Sequence, residues 1–351
     1  MKKLNVMFME FSLCQASMAK IDPAEALESL SRLPYCQSKS PWVQCAKGRM
    51  HLEATNFKEA KEAYTEARNE APYLTSSMGY FSTVLWQLRD EHGLTLLAND
   101  LQDLEPLGYD TMIVLGNAYS LQSWPELSIQ AFQEASKVDP LRSYAYTLAG
   151  HEGWGSNKGD FAAKMFRLAL QVCPRDYSAI FGLGNILPAS NEYHDAIFYF
   201  NKALEIHPNS ALLKEKLAAA YLKQGDFEAG LICYNEAIQL APSKNPLKFQ
   251  KARVLIALGE FKEALRTLLP LKRRHMEDPA LHFTLGKLYF LMGNSLDAYI
   301  HLRWACDLMP DLSGKVEHII KLYEKGDLKD LSPDACRKVV FDSSQITLSK
   351  L

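Results

Sequence analysis

Apolar residues recur along the chain at helical spacings of three and four, as at Leu204, Leu212, Leu213, Leu217 and Tyr221, and the pattern breaks near the middle of each cycle. The breaks are themselves periodic. A small residue returns every 34 positions, at Gly48, Ser82, Gly116, Gly150, Gly184, Ala218, Ala252 and Gly286. Twenty-four residues after each comes proline, at Pro72, Pro106, Pro140, Pro174, Pro208, Pro242 and Pro310, with Met276 the one exception. Sixteen residues after each stand Tyr64, Ala98, Phe132, Phe166, Phe200, Tyr234, Leu268 and Leu302. The pattern predicts gapless repeats beginning at residues 41, 75, 109, 143, 177, 211, 245 and 279, each of two short antiparallel helices, A and B.

The chemistry of the recurring positions supports that arrangement. A small eighth residue lets helix A approach helix B. Alanines at the twentieth and twenty-seventh positions do the same where B meets the next A, and a bulky side chain there costs about 1–3 kcal/mol of overpacking. Proline at the thirty-second position has no amide donor and ends helix B. Asp160, Asp226 and Asn294 fall near the A-to-B turn, where short polar side chains cap a helix start, and Gly225, Gly259 and Gly293 suit the preceding helix end. A 34-residue period with this content resembles the tetratricopeptide repeat. That resemblance implies an all-α, right-handed superhelical solenoid in which each repeat buries its apolar face on its neighbours. Residues 1–40 read as a degenerate leading repeat, with Cys14 in register with Gly48 and Ala26, Leu30 and Leu33 on the packing side. Residues 41–312 hold the eight repeats. A capping helix follows at 313–326, with Val316, Ile319, Ile320 and Tyr323 facing inward. The polar, aperiodic tail 327–351 is expected to be disordered.

Composition narrows the possible functions. In a solenoid, 351 residues give surface rather than a deep core, and 48% apolar with 23% charged residues is ordinary for a folded protein. A net charge of −2 leaves no electrostatic footprint for nucleic acid or an anionic membrane. The cysteines, Cys14, Cys36, Cys45, Cys173, Cys233, Cys306 and Cys336, are odd in number and lack a Cys-x-x-Cys pair, which fits a reducing compartment and offers no zinc site. Lys2 and Lys3 before the apolar run Leu4 to Leu13 have the outline of a signal peptide, but Glu10 interrupts it and another helix follows. No stretch approaches the roughly 18 uninterrupted apolar residues of a membrane span.

No catalytic constellation is present, and no cofactor or metal is expected. Gly150, Gly153 and Gly155 sit on a predicted helix rather than a strand-to-helix turn, and His151 with Glu152 lacks the second histidine of a metal-binding helix. The cluster Lys272, Arg273, Arg274 and His275 reads as a solvated helix end. Function therefore falls to the concave face lined by the A helices. Position 9 reads Arg49, Thr83, Asn117, His151, Asn185, Ala219, Arg253 and Lys287. The successive Asn117, His151 and Asn185 either donate to a peptide backbone or terminal carboxylate, or merely keep the groove soluble. Around them, Trp86, Ser120, Tyr144, Thr147, Trp154 and Phe181 offer aromatic anchors and polar neighbours, or pack between helices. Candidate carboxylates for a basic side chain are Asp110, Glu152 and Glu215. Gly153 and Gly155 weaken the end of one A helix and Pro188 that of the next. Drift at frayed ends accounts for this, or a groove widened beside Asn117, His151 and Asn185.

The words carried on the period go beyond a generic array. Ser-Thr-Val-Leu-Trp-Gln-Leu at 82–88, Leu-Gly-Asn-Ala-Tyr-Ser-Leu-Gln at 115–122, Tyr-Ala-Tyr-Thr-Leu-Ala-Gly-His-Glu at 144–152 and Lys-Asn-Pro-Leu-Lys-Phe-Gln-Lys-Ala at 244–252 occur in this order. Together, from about residue 7 to 325, they resemble the C-terminal superhelix of the family of the third subunit of the anaphase-promoting complex, the cell division cycle protein 27 family. The resemblance implies a non-catalytic scaffold of a ubiquitin ligase in nucleus and cytoplasm, acting in mitosis beside other tetratricopeptide subunits. It also implies a groove that receives C-terminal Ile-Arg tails of coactivators and of a core subunit, with Asn117 the matching asparagine. The family's homodimerising N-terminal repeats have no counterpart in this sequence, so homodimerisation is not carried over, and Leu187, Pro188 and Ala189 replace the expected aromatic and basic residues. The alternative is a peptide-binding adaptor of another assembly, such as a chaperone or transport co-factor. A chaperone clamp needs a lysine at position 5, which reads Cys45, Gly79, Ile113, Thr147, Phe181, Glu215, Phe249 and Phe283.

Overall fold

The computed structural model describes residues 2–20, 22–186 and 193–324. The readings made of Leu187, Pro188, Ala189 and the tail lie outside the described residues. The described residues are mainly helical and contain no strand, so the fold is all-α. None of their helices is long and apolar enough to cross a membrane.

The chain forms two compact units, Met1–Asn209 and Ser210–Leu351. In the first, α1 (Lys2–Lys20), α2 (Pro23–Ser31) and the short α3 (Tyr35–Ser38) precede the paired helices. The A helices are α4 (Pro41–Glu53), α6 (Met78–Gln87), α8 (Tyr109–Leu121), α10 (Ser143–Gly155) and α12 (Tyr177–Ile186). Their B partners are α5 (Phe57–Glu70), α7 (Glu91–Leu104), α9 (Pro125–Val138), α11 (Gly159–Val172) and α13 (Tyr193–Ile206). The second unit holds α14 (Ala211–Gln224), α15 (Phe227–Leu240), α16 (Asn245–Ala257), α17 (Phe261–Arg274), α18 (Pro279–Leu291), α19 (Ser295–Leu308), a 3₁₀ turn at Pro310–Leu312 and α20 (Ser313–Glu324).

One close contact explains the period within each pair. A Cβ added at Gly48 would lie 2.6 Å from the Tyr64 ring, at Gly150 2.5 Å from Phe166 and at Gly184 2.7 Å from Phe200. These rings are almost fully buried, so the glycine is what admits them between A and B. Volume is conserved across the pair: where the ring position is Ala98, the small position is Ser82. Each described B-helix C-cap is the residue before position 32 of the period, a proline in every repeat but that of Met276. Ala71 (φ −139°, ψ 83°) and Met309 (φ −144°, ψ 94°) adopt the extended backbone that a following proline favours. His275 has the same conformation before Met276 (φ −132°, ψ 63°), so neighbouring helices hold the turn without proline.

The caps correct one expectation. Asp226 and Asn294 do cap their B helices, accepting from the amides of Ala229 and Asp297. Asp90 does the same from Gly93 at the equivalent position. Asp160 does not: Lys158 is the N-cap of α11, and Asp160 sits in the first turn, where its charge favours the helix dipole. The weakened end of α10 is also absent. That helix runs to Gly155 and matches α8 in length, at 13 residues each. A Cβ at Gly153 would stand 2.6 Å from Phe161, so this glycine serves a close helix contact.

The cores are local. Cys14, Ala26, Leu30 and Leu33 pack with Val43, Ala46 and Met50 at the start of the first unit. In the second, α18 is buried almost throughout, and α20 lays Val316 and Ile319 on it. Cys14, Cys45, Cys173, Cys233 and Cys306 are free thiols.

Candidate functional site

The inner face of the first unit is built from α4, α6, α8, α10 and α12, whose ninth and twelfth positions point the same way at each turn of the period. Two hydrogen-bonded lines cross it. Asn117 Nδ2 donates to Ser82 Oγ at 2.8 Å and Thr83 Oγ1 at 3.1 Å, and Thr83 Oγ1 meets the Tyr144 hydroxyl at 2.6 Å. Trp86 Nε1 donates to Ser120 Oγ at 3.1 Å, which donates to Glu152 Oε2 at 2.7 Å. Trp86, Asn117, Ser120, Tyr144 and Glu152 thus lie on linked turns of three successive repeats.

The expected donor chemistry needs two corrections. Asn117 is buried, with both amide hydrogens engaged by Ser82 and Thr83, so it is not a free donor to a carboxylate. Burial pushes the His151 imidazole down to about 4 against the pull of Asp176, so it is neutral at pH 7 and brings no positive charge. Its Nε2 lies 3.1 Å from Ser178 Oγ. Thr147 is buried and donates to Asp176 Oδ2 at 2.9 Å, while Asp176 Oδ1 accepts from the amides of Ser178 and Ala179 at the start of α12.

Other candidates are placed elsewhere. Phe181 packs on Phe200 at 5.9 Å between α12 and α13. Trp154 packs against the cluster of Ala162 and Phe166 within its own helix pair. Asn185 is half-buried on α12. Asp110 accepts from the Gly79 amide at 2.8 Å and pairs with Arg142 at 3.5 Å; burial raises its carboxyl, and both partners pull it back. Glu215 lies on α14 in the second unit.

The inner face also holds residues that the period alone did not single out. Tyr177 donates to Glu53 Oε2 at 2.5 Å, joining α12 to α4 across 124 residues of sequence. Burial raises the Glu53 carboxyl, with the Tyr177 hydroxyl and Arg49 acting in the opposite direction. Arg49 stacks over the Tyr80 ring at 4.8 Å, and Tyr80 meets Tyr144 at 4.6 Å between ring centres. Arg49 and Glu53, one helical turn apart on α4, were the available sequence signal. The result is a half-buried, aromatic and hydrogen-bonding face with carboxylates at Glu53 and Glu152. Among the described residues, no group of three or more His, Cys, Asp or Glu side chains could hold a metal ion.

Paired helices, small-residue contacts and an A-helix face of this kind define an all-α protein of the tetratricopeptide-repeat class. Residues 189–271 match the family model of anaphase-promoting complex, cyclosome, subunit 3. The chain is 31% identical over 297 residues to anaphase-promoting complex subunit 3 of Schizosaccharomyces pombe, covering 85% of this chain and 44% of that protein. It is 33% identical to a cell division cycle protein 27 homolog of Caenorhabditis elegans, covering 76% of this chain and 34% of that protein. A chain in the crystal structure of the APC/C hetero-tetramer Cut9–Hcn1 shares the fold, with a TM-score of 0.72 at 16% identity, over 86% of this chain and 59% of that one. The chain belongs to the cell division cycle protein 27 family. It spans less than half the length of the relatives compared.

Proposed function

We propose that the protein is a non-catalytic scaffold subunit of the anaphase-promoting complex, and that the inner face of its first unit receives an extended C-terminal tail ending in Ile-Arg. The tail belongs to a coactivator or a core subunit, and neighbouring tetratricopeptide subunits are the other partners. One observation carries the site: Trp86, Ser120 and Glu152 form a continuous line across three successive A helices on a half-buried face. A carboxylate held by a hydroxyl beside an indole suits a guanidinium flanked by an apolar side chain. Asn117 acts here by position, fixing Ser82 and Thr83 and through them Tyr144.

Titrating a peptide ending in Ile-Arg tests the site. Glu152→Gln is expected to weaken binding roughly tenfold, the scale of one charge-assisted contact. Asn117→Ala should weaken it less, and an amidated C-terminus should weaken it too, Arg49 being the cation on this face. Binding that ignores both Glu152→Gln and amidation would remove the tail from this face. The scaffold reading is tested separately by affinity purification from the source cell, where recovery without other ligase subunits counts against it.

A further inference from the structure

On α19, in the second unit, two outward positions of the period carry large apolar residues. Position 18 of the period reads Lys58, His92, Glu126, Asp160, His194, Glu228 and Lys262, and then Leu296. Position 26 reads Glu66, Asp100, Glu134, Leu168, Lys202, Glu236 and Pro270, and then Trp304. These are outward positions, and α19 exposes Leu296 at 71% and Trp304 at 45% there; one turn further on from each it exposes Ile300 at 48% and Leu308 at 42%, at positions where some other repeats also expose apolar residues. Spacings of four place all of them on one stripe of the helix.

Cations stand on α17, and Asp307 is an exposed acid on α19 beside Trp304 and Leu308. On α17, positions 18, 22, 29 and 30 of the period hold Lys262, Arg266, Arg273 and Arg274, all exposed. None of these four forms an ion pair among the described residues, whereas the exposed Glu263 of α17 is paired with Lys251 of α16 at 3.2 Å. Lys272 Nζ lies 3.3 Å from His301 Nε2, which brings α17 and α19 together at that point. An apolar stripe leaves exposed surface that favours burial. The unpaired cations of α17 set the sign expected of a partner's charged edge.

We propose that this face docks an amphipathic helix of a partner protein, with apolar residues against Leu296, Ile300, Trp304 and Leu308 and an acidic edge against Lys262, Arg266, Arg273 and Arg274. The surface is separate from the inner face and does not depend on tail binding there. It also gives the basic cluster at the end of α17 a role beyond solvation.

The test uses the full chain and two fluorescein-labelled synthetic helices about 20 residues long, with leucine at i, i+3, i+4 and i+7. One carries glutamate along one edge and the other lysine. Fluorescence anisotropy should show binding of the glutamate-edged helix, weakened roughly tenfold or more both in Leu296→Ser/Ile300→Ser and in Arg266→Glu/Arg273→Glu. The charge-reversed protein should in turn prefer the lysine-edged helix, a swap that misfolding does not produce. Equal binding of the two helices by the unaltered chain overturns the proposal, as does binding unchanged in both variants. Self-association lost in Leu296→Ser/Ile300→Ser would assign the face to a second copy instead. Binding seen only after removal of residues 325–351 would assign it to the chain's own C-terminal segment. Either result also overturns the proposal.

Discussion

The fifteenth residue of the period turns helix A into helix B with a left-handed backbone. Gly225 (φ 94°), Gly259 (φ 83°) and Gly293 (φ 77°) take it in the second unit, whereas Thr55 (φ 61°), Arg89 (φ 57°), Ser123 (φ 63°) and Asn157 (φ 57°) take it in the first. The left-handed region costs a non-glycine residue about 1–2 kcal/mol, most severely a β-branched one. Thr55→Gly is therefore expected to stabilise the first unit by about 0.5–1 kcal/mol once glycine's greater unfolded-state entropy is set against the relief, and so to raise its thermal midpoint. An unchanged or lower midpoint in a melting scan would refute this. The glycines could be recognised in the sequence as helix ends; the strained residues could not, because a side chain of ordinary type does not disclose its φ. Ser128 is a related case. Its hydroxyl is buried without a partner, where most other repeats carry Ala60, Ala162, Ala196, Gly230, Ala264 or Ala298. Ser128→Ala should stabilise by about 1 kcal/mol, since an unmade buried hydrogen bond is lost with the hydroxyl. Gly116→Ala should do the opposite, costing about 1–3 kcal/mol as its methyl meets the Phe132 ring.

Between α18 and α19 the hydrogen bonds fix the protonation of a buried histidine pair. His282 Nε2 faces the Met276 carbonyl at 2.8 Å, which can only accept, so that nitrogen carries the proton and Nδ1 is an acceptor. His301 Nδ1, 2.9 Å away, must then donate, which leaves its Nε2 to accept from Lys272 Nζ. Either imidazolium would place donor against donor. Burial is the largest cause lowering both groups, helped by Lys272 and, for His301, by His282; Asp278 and the Met276 carbonyl oppose it at His282, and Asp297 opposes it at His301. His301 is pushed down to about 4. A histidine held below its unfolded value contributes stability that is complete above about pH 6.5 and is lost as pH falls toward the folded value. The second unit should accordingly lose about 1–2 kcal/mol between pH 7 and pH 5 from His301 alone. Urea unfolding followed by Trp304 fluorescence would measure this loss, and a His301→Asn variant with an undiminished pH slope would contradict it. The helices themselves were legible in the 34-residue period. The bond between His282 and His301 was not, because 19 residues separate them and which nitrogen faces which depends on side-chain orientation.

Within the first unit, contacts at the period and contacts beyond it differ in how far the sequence discloses them. Trp86 to Ser120 and Asn117 to Thr83 are each 34 residues apart, so the repeat predicts that these residues stand beside each other. It does not predict that their polar atoms satisfy one another, which is why Asn117 read as a free donor. Glu53 and Tyr177 lie 124 residues apart, and their contact arises from the rotation accumulated over successive repeats, which no single period encodes. Solenoid contacts are ordinarily between neighbours, so this one links helices that would otherwise open independently. The Glu53 carboxyl is desolvated and the Tyr177 hydroxyl partly compensates. Tyr177→Phe leaves the carboxylate short of a partner, at a cost of about 1–3 kcal/mol. Glu53→Gln removes the charge and should cost less, and after it Tyr177→Phe should cost less too. A double-mutant cycle is expected to give a coupling of about 0.5–3 kcal/mol. Because unfolding of two units is not one transition, the readout is hydrogen exchange: in Tyr177→Phe, peptides from α4 and α12 should lose protection together while those from α14 to α19 keep theirs. Additive effects, or loss confined to α12, would mean that the two helices open independently and that the inner face of the first unit is not braced at Glu53.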